Sequence, residues 1–171
     1  MPDPVSPTAV TLTVNGETRV ESLPANLLLS EYLREHLRLT GTHVGCDTSQ
    51  CGACTVLVDG LSVKACTVLA VSLDKSRVVT VEGLARPEGL HPLQAAFQAR
   101  HALQCGFCTP GVLMTAAGLL RETPRPSPSE IRAGLDGVLC RCTGYENIVA
   151  AISEAAESIQ AAAGGDAIWP S

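Results

Sequence analysis

Hydrophobic residues alternate with polar ones in the first half of the chain and recur every three or four positions in the second. Val10, Leu12 and Val14 alternate with threonines, Asn15-Gly16 is a strong hairpin signal, and Glu17 to Val20 returns, so the chain is predicted to open on a β-hairpin. Leu29, Leu33 and Leu37 then fall on one stripe opposite Glu31, Arg34 and Glu35. This predicts a helix capped by Asn26, running to about Arg38 and ended by Gly41. Residues 42 to 54 have neither period and read as a loop. Cys54 to Val58, Asp59-Gly60 and Leu61 to Cys66 predict a second hairpin, and Val78 to Val81 a short strand. The order β-β-α-β-β-β implies a small mixed sheet crossed by one helix.

Between Gly83 and Gly89 the period changes to helical, which places a boundary there. Pro92 suits the first turn of a helix running to about Leu103. Thr109-Pro110 reads as cap and first position of a helix carrying Val112, Leu113, Met114, Ala116, Leu119 and Leu120, broken by Pro124, Pro126 and Pro128. Ser127-Pro-Ser-Glu130 fits a capping box for a short helix ending near Gly137, and Thr143-Gly-Tyr-Glu146 another for a helix to about Ala161. The chain is therefore read as α+β, with a sheet domain over 1–84, four helices over 85–163 and a poorly ordered tail over 164–171 that includes Trp169.

Composition narrows the function. An apolar share of 46% in 171 residues is enough for a core, and a net charge of −5 without a Lys/Arg cluster argues against nucleic acid or an anionic membrane as partner. No stretch reaches the length of a membrane span. Met1 to Ala9 holds three prolines, no apolar run and no twin-arginine pair, so no secretory signal is read there. A cytoplasmic location is expected, where cysteines serve more often as metal ligands than as disulfides.

The eight cysteines fall into two groups of four. Cys46, Cys51 and Cys54 have the spacing C-x4-C-x2-C, with Cys66 following after eleven intervening residues, which is the ligand spacing of plant-type two-iron ferredoxins. Gly45 and Gly52 would let such a loop wrap closely around a metal-sulfide core. Cys105, Cys108, Cys140 and Cys142 form a C-x2-C pair and a C-x-C pair separated by thirty-one residues. Spacing alone leaves zinc open for this second group. A neighbouring plant-type loop favours two iron-sulfur centres. Each pair of the second group precedes a predicted helix start, whose N–H groups and dipole are expected to face the anionic centre. His36, His43, His91 and His101 lack metal-site spacing and are read as surface or capping residues.

The segments Gly45-Cys-Asp-Thr-Ser-Gln-Cys-Gly-Ala-Cys-Thr55, Gln104-Cys-Gly-Phe-Cys-Thr-Pro-Gly111 and Cys140-Arg-Cys-Thr-Gly-Tyr145 together resemble the small iron-sulfur subunit of the molybdenum hydroxylases, the xanthine oxidase family. Asp47-Thr-Ser and the separate small chain look most like the carbon monoxide dehydrogenase-type branch. The resemblance implies an N-terminal plant-ferredoxin-like β-grasp domain and a C-terminal four-helix domain, each holding a [2Fe-2S] cluster. It also implies a large subunit carrying the molybdopterin cofactor, a medium subunit carrying FAD, and assembly as a dimer of heterotrimers. By the same resemblance Cys105, Cys108, Cys140 and Cys142 bind the cluster nearer molybdenum, and Cys46, Cys51, Cys54 and Cys66 the one nearer flavin. Gln104 and Cys142 stand where the family meets the pterin. Val138 departs from the asparagine the family often has before Leu-Cys.

An electron-transfer subunit with no residue acting as acid, base or nucleophile is the function so implied. Two rivals are a free-standing two-cluster ferredoxin and a structural zinc-binding interaction protein. Co-purification with larger chains distinguishes the first, and a colourless, zinc-containing protein the second.

Overall fold

The computed structural model describes residues 7–85 and 89–162. The predicted tail with Trp169 and part of the boundary segment lie outside the described residues. Five strands form one mixed sheet: β1 (Thr8–Val14), β2 (Glu17–Leu23), β3 (Thr55–Val58), β4 (Leu61–Lys64) and β5 (Arg77–Val79), in the order β2-β1-β5-β3-β4. The β1–β5 pair is parallel and the other neighbours antiparallel. Both predicted hairpins form. Their central residues, Asn15 and Gly16 at φ 49° and 84° and Asp59 and Gly60 at φ 50° and 88°, have the positive angles that two-residue hairpins with right-handed strand twist require.

The first helix differs from expectation at both ends. It starts at Leu29, where the Glu31 carboxylate accepts from the Leu28 N–H at 3.1 Å, so Asn26 is not its cap. After one α-helical turn, α1 (Leu29–Glu31), the chain widens into a π-helical turn over Tyr32–His36, closed by the Leu37 N–H on the Tyr32 carbonyl at 3.1 Å. The wider turn puts Leu29, Tyr32 and Leu33 together in the core, all fully buried. Arg38 at φ 59° ends the segment, not Gly41. Gly41 instead donates its N–H to the Glu82 carboxylate at 2.8 Å.

Strand alternation divides the core between the two faces of the sheet. Val10, Leu12, Val14, Val56, Val58 and Val78 pack with Leu29, Tyr32 and Leu33 on one face. Leu57 and Val79 point the other way, into a cluster with Phe97, Val112, Met114 and Leu120. The helical part of the chain thus covers the second face of the sheet, and β3 is buried along its whole length. Predicted strand ends shift slightly: Cys66 lies in a 3-10 turn over Ala65–Thr67, and β5 ends at Val79.

The remaining helices are α2 (Pro92–Ala99), α3 (Thr109–Glu122), α4 (Pro128–Gly134) and α5 (Glu146–Ala161). α2 is capped by His91, whose Nδ1 accepts from the Leu93 N–H at 3.2 Å, and stops four residues before Leu103 as His101 turns the chain at φ 50°. In α3, Cys108 is the capping residue and Thr109 already helical, one position earlier than predicted. The Ser127 capping box forms, with Ser127 donating its N–H to Glu130 at 2.7 Å and its hydroxyl oxygen accepting from the Glu130 N–H at 3.3 Å, but α4 ends at Gly134. The second capping box does not form: Tyr145, at φ 67°, precedes α5, and the Thr143 hydroxyl accepts from the Tyr145 N–H at 3.1 Å.

Candidate iron-sulfur sites

All eight cysteines are free thiols, and the contacts among them stay within the two groups read from their spacing. In the first, the loop before β3 curls so that the Cys51 N–H points at the Cys46 sulfur, 3.4 Å away, joined by the N–H groups of Thr48 and Gln50. These donors stabilise a thiolate and bring the Cys46 pKa down to about 6. Ser49 at φ 61° and Gly52 at φ 71° supply the left-handed turns that this path needs, and Lys64 Nζ donates to the Ser49 carbonyl at 2.7 Å. Cys54 and Cys66 lie beneath the loop, both buried and hydrogen-bonded to each other. Burial pushes the Cys54 thiol up to about 11.

In the second group the sulfurs of Cys105 and Cys142 are 3.5 Å apart, and the thiol of buried Cys108 is hydrogen-bonded to that of Cys140. Burial pushes Cys108 up to about 12. The Phe107 N–H holds Cys105 below the usual thiol range. Burial opposes ionisation of Cys140, but the Thr143 hydroxyl and N–H and the Cys142 N–H outweigh it. The Cys140 sulfur and the Thr143 oxygen are 3.2 Å apart. Donors to sulfur thus come from the loops themselves. α3 starts directly after Cys108, but the donors to Cys105 and Cys140 are loop groups, so the expectation that both helix ends supply them is not met there.

The two loops meet directly. The Leu139 N–H donates to the Cys51 carbonyl at 2.8 Å. A Cβ on Gly111 would press on the Gly52 carbonyl and sit 2.9 Å from Ala53 Cα, and one on Gly52 would sit 2.9 Å from Val138 Cα, so bare backbone is what allows this approach. His43 stacks on Phe107 with ring centroids 4.9 Å apart, and its Nδ1 lies 2.8 Å from the Phe107 carbonyl. Gln104 Nε2 donates to the Cys142 carbonyl at 3.2 Å, bringing the two residues expected at the pterin together on an exposed edge.

Sequence reasoning gave no role to Phe107, Lys64 or Tyr145 and read His43 only as a surface or capping residue. The Tyr145 hydroxyl accepts from the Cys140 N–H at 2.7 Å and donates to the Val138 carbonyl at 3.0 Å, bracing the C-x-C loop from behind. A usable signal existed in an aromatic between two cysteines and another three positions after the last one. The asparagine missing at Val138 costs no ligand contact, since Val138 is buried against Gly52.

The donor set can be tested against the two candidate metals. A zinc site draws four thiolates around one ion. Among the described residues no group of three or more His, Cys, Asp or Glu side chains is gathered closely enough to hold a metal ion, so the choice between the two metals rests on how the thiols pair. The close thiol contacts run two by two, Cys54 with Cys66, Cys105 with Cys142 and Cys108 with Cys140. A two-iron cluster on four thiolates, each iron taking two, fits that arrangement.

Family comparison agrees on both halves. A model described as 2Fe-2S iron-sulfur cluster binding domain matches residues 12–82, and one described as [2Fe-2S] binding domain matches residues 80–153. The chain is 48% identical to the 6-hydroxypseudooxynicotine dehydrogenase complex subunit beta of Paenarthrobacter nicotinovorans, over 85% of this chain and 92% of that one. It is 46% identical to caffeine dehydrogenase subunit gamma of Pseudomonas sp. strain CBB1, over 90% and 93% respectively. The crystal structure of quinoline 2-oxidoreductase from Pseudomonas putida 86 superposes with a TM-score of 0.85 at 45% identity, covering 89% of this chain and 95% of that chain.

The chain belongs to the small iron-sulfur subunits of the molybdenum hydroxylases. This small subunit is therefore an electron-transfer component of a multi-subunit oxidoreductase. No helix among its described residues is long and apolar enough to cross a membrane.

Proposed function

We propose that this small subunit takes electrons singly from a molybdopterin centre in a large subunit and delivers them to FAD in a medium subunit. Each electron enters at the site of Cys105, Cys108, Cys140 and Cys142 and leaves from that of Cys46, Cys51, Cys54 and Cys66. A [2Fe-2S] cluster, when bound, supplies a one-electron couple at each site. The observation that carries the reading is the meeting of thiols from segments far apart in the chain, Cys105 with Cys142 above all, at a separation two ligands of one iron can take.

The chain's own residues set direction and access. Gln104, Cys105, Phe107, Leu139 and Cys142 are exposed together, which supports this end as the one facing the large subunit, with Gln104 and Cys142 against the pterin. The Gln104 amide N–H bonded to Cys142 leaves its carbonyl oxygen for a pterin edge. Loop N–H groups on Cys46, Cys105 and Cys140 stabilise negative charge on sulfur and so set each site's potential.

The fold reading belongs with this. A plant-ferredoxin-like β-grasp domain over 1–84 and a four-helix domain over 85–163 would each carry one centre, in a cytoplasmic dimer of heterotrimers. Substrate choice lies in the large subunit, a view supported by small subunits of similar sequence in enzymes named for 6-hydroxypseudooxynicotine, caffeine and quinoline. Rapid mixing of the assembled complex with its substrate tests the path. Absorbance from the small subunit should bleach before flavin is reduced, and flavin reduction with no preceding bleach would refute the order.

A further inference from the structure

Lys64 is a side chain that neither the ligand pattern nor the partner contacts account for. Its backbone is fixed by the β3–β4 ladder, where it pairs with Thr55, so it stands between the ligands Cys54 and Cys66 in the chain. From there the half-buried side chain reaches across the loop of the first site, and its ammonium donates to the Ser49 carbonyl at 2.7 Å. Ser49 lies inside the C-x4-C segment, at φ 61°, a left-handed conformation uncommon for a residue other than glycine. Its carbonyl therefore points where a continued turn would not send it, and Lys64 meets it. The same ammonium sits 3.4 Å from where a Gly137 Cβ would be, three residues before Cys140. One positive charge is thus held at the seam between the two cysteine loops, in a chain whose net charge is −5.

We infer that Lys64 is a positioning and potential-setting residue for the first site. As an anchor it holds Ser49 in the turn that aims the Thr48, Gln50 and Cys51 N–H groups at the Cys46 sulfur. As a charge it favours the state with one more electron, because adding an electron to a centre on four thiolates makes it more negative. The couple concerned gains one electron and no bond forms or breaks. The consequence is a first site better able to take the electron from the Cys105/Cys142 end. This rests on the two-centre reading above.

Three variants separate anchor from charge. Lys64→Gln keeps a donor for the Ser49 carbonyl without the charge, Lys64→Met removes both, and Lys64→Arg keeps both. Potentials of the two centres are read by paramagnetic resonance during a reductive titration of the assembled complex. The expected result is a lower first-site potential in Gln and Met variants, by roughly a tenfold change in the one-electron equilibrium, about 59 mV. The Arg variant should match wild type, and in the Gln and Met variants the second site should move less than the first. Iron release to a chelator should quicken at the first site in Met more than in Gln. An unshifted first site in the Gln variant, or equal shifts at both sites, overturns the inference while leaving the two-centre reading intact. A wild-type complex without two [2Fe-2S] signals removes that reading and the inference with it.

Discussion

The Leu139 N–H donates to the Cys51 carbonyl across 2.8 Å, tying the residue before one C-x-C ligand to a ligand of the other loop. No other backbone hydrogen bond so directly joins the two cysteine groups among those described. It places the two sites within one hydrogen bond of each other through Cys51, Leu139 and Cys140.

That junction depends on glycine. In Gly111→Ala the new methyl meets backbone, the Gly52 carbonyl and Ala53 Cα, neither of which can swing away. The expected outcome is a loss of about 1–3 kcal/mol in stability, the usual cost of overpacking, measured by denaturant unfolding of the small subunit. Passage of electrons between the sites should slow as well. Unchanged stability would mean the loops do not pack as closely as described.

Gln104→Ala removes the amide that donates to the Cys142 carbonyl. The lost bond is exposed and contributes about 0.5–1.5 kcal/mol, so iron content should stay at the wild-type level. Reduction by substrate should be slower. A wild-type rate of cluster reduction would show that this side chain only staples the loop.

Tyr145→Phe deletes a hydroxyl with two partners, leaving the Cys140 N–H and the Val138 carbonyl half-buried and unsatisfied. A cost of about 1–3 kcal/mol is expected, localised at the second site. Iron lost to a chelator should come faster from that site, with the first unaffected. Equal loss from both would point to general unfolding.

Much of the fold was legible because it rests on local chemistry. Asn15-Gly16 and Asp59-Gly60 announce turns with positive φ at both positions, and Ser127 with Glu130 announces a helix start. The π-helical turn was not, since Leu29, Leu33 and Leu37 fit an ordinary helix equally well and only tertiary packing of Tyr32 beside them selects the wider one. Around the cysteines, the thiol contacts stay inside the two groups read from spacing, but spacing did not give the partners within each. Cys54 meets Cys66 through the β3–β4 hairpin, where the Ala65 N–H donates to the Cys54 carbonyl, whereas Cys105 meets Cys142 only through the tertiary fold. The Thr143 box failed for a similar reason: its hydroxyl is drawn to the Cys140 sulfur and the Tyr145 N–H instead.

The thiol environments predict a pH dependence for the metal-free protein. Burial raises Cys54 to about 11 and Cys108 to about 12, above the ordinary value of 9.0 that the unfolded chain would show. The folded form then holds more protons than the unfolded one between these values. The stability these two thiols contribute is fully present below pH 9 and is lost as pH rises toward 11 and 12. Thermal unfolding of the iron-free chain across that range checks the sign. The iron-loaded protein should be insensitive there, because both sulfurs are already deprotonated by the metal.

The central claim is that this chain holds two separate two-iron centres. Reducing the purified complex with dithionite and integrating its paramagnetic resonance spectrum against iron content tests that directly. The account predicts two distinguishable signals, each integrating to about one spin per small subunit, with roughly four irons per chain, the number that two [2Fe-2S] clusters require. A single signal, or a second cysteine group filled with zinc, would contradict it.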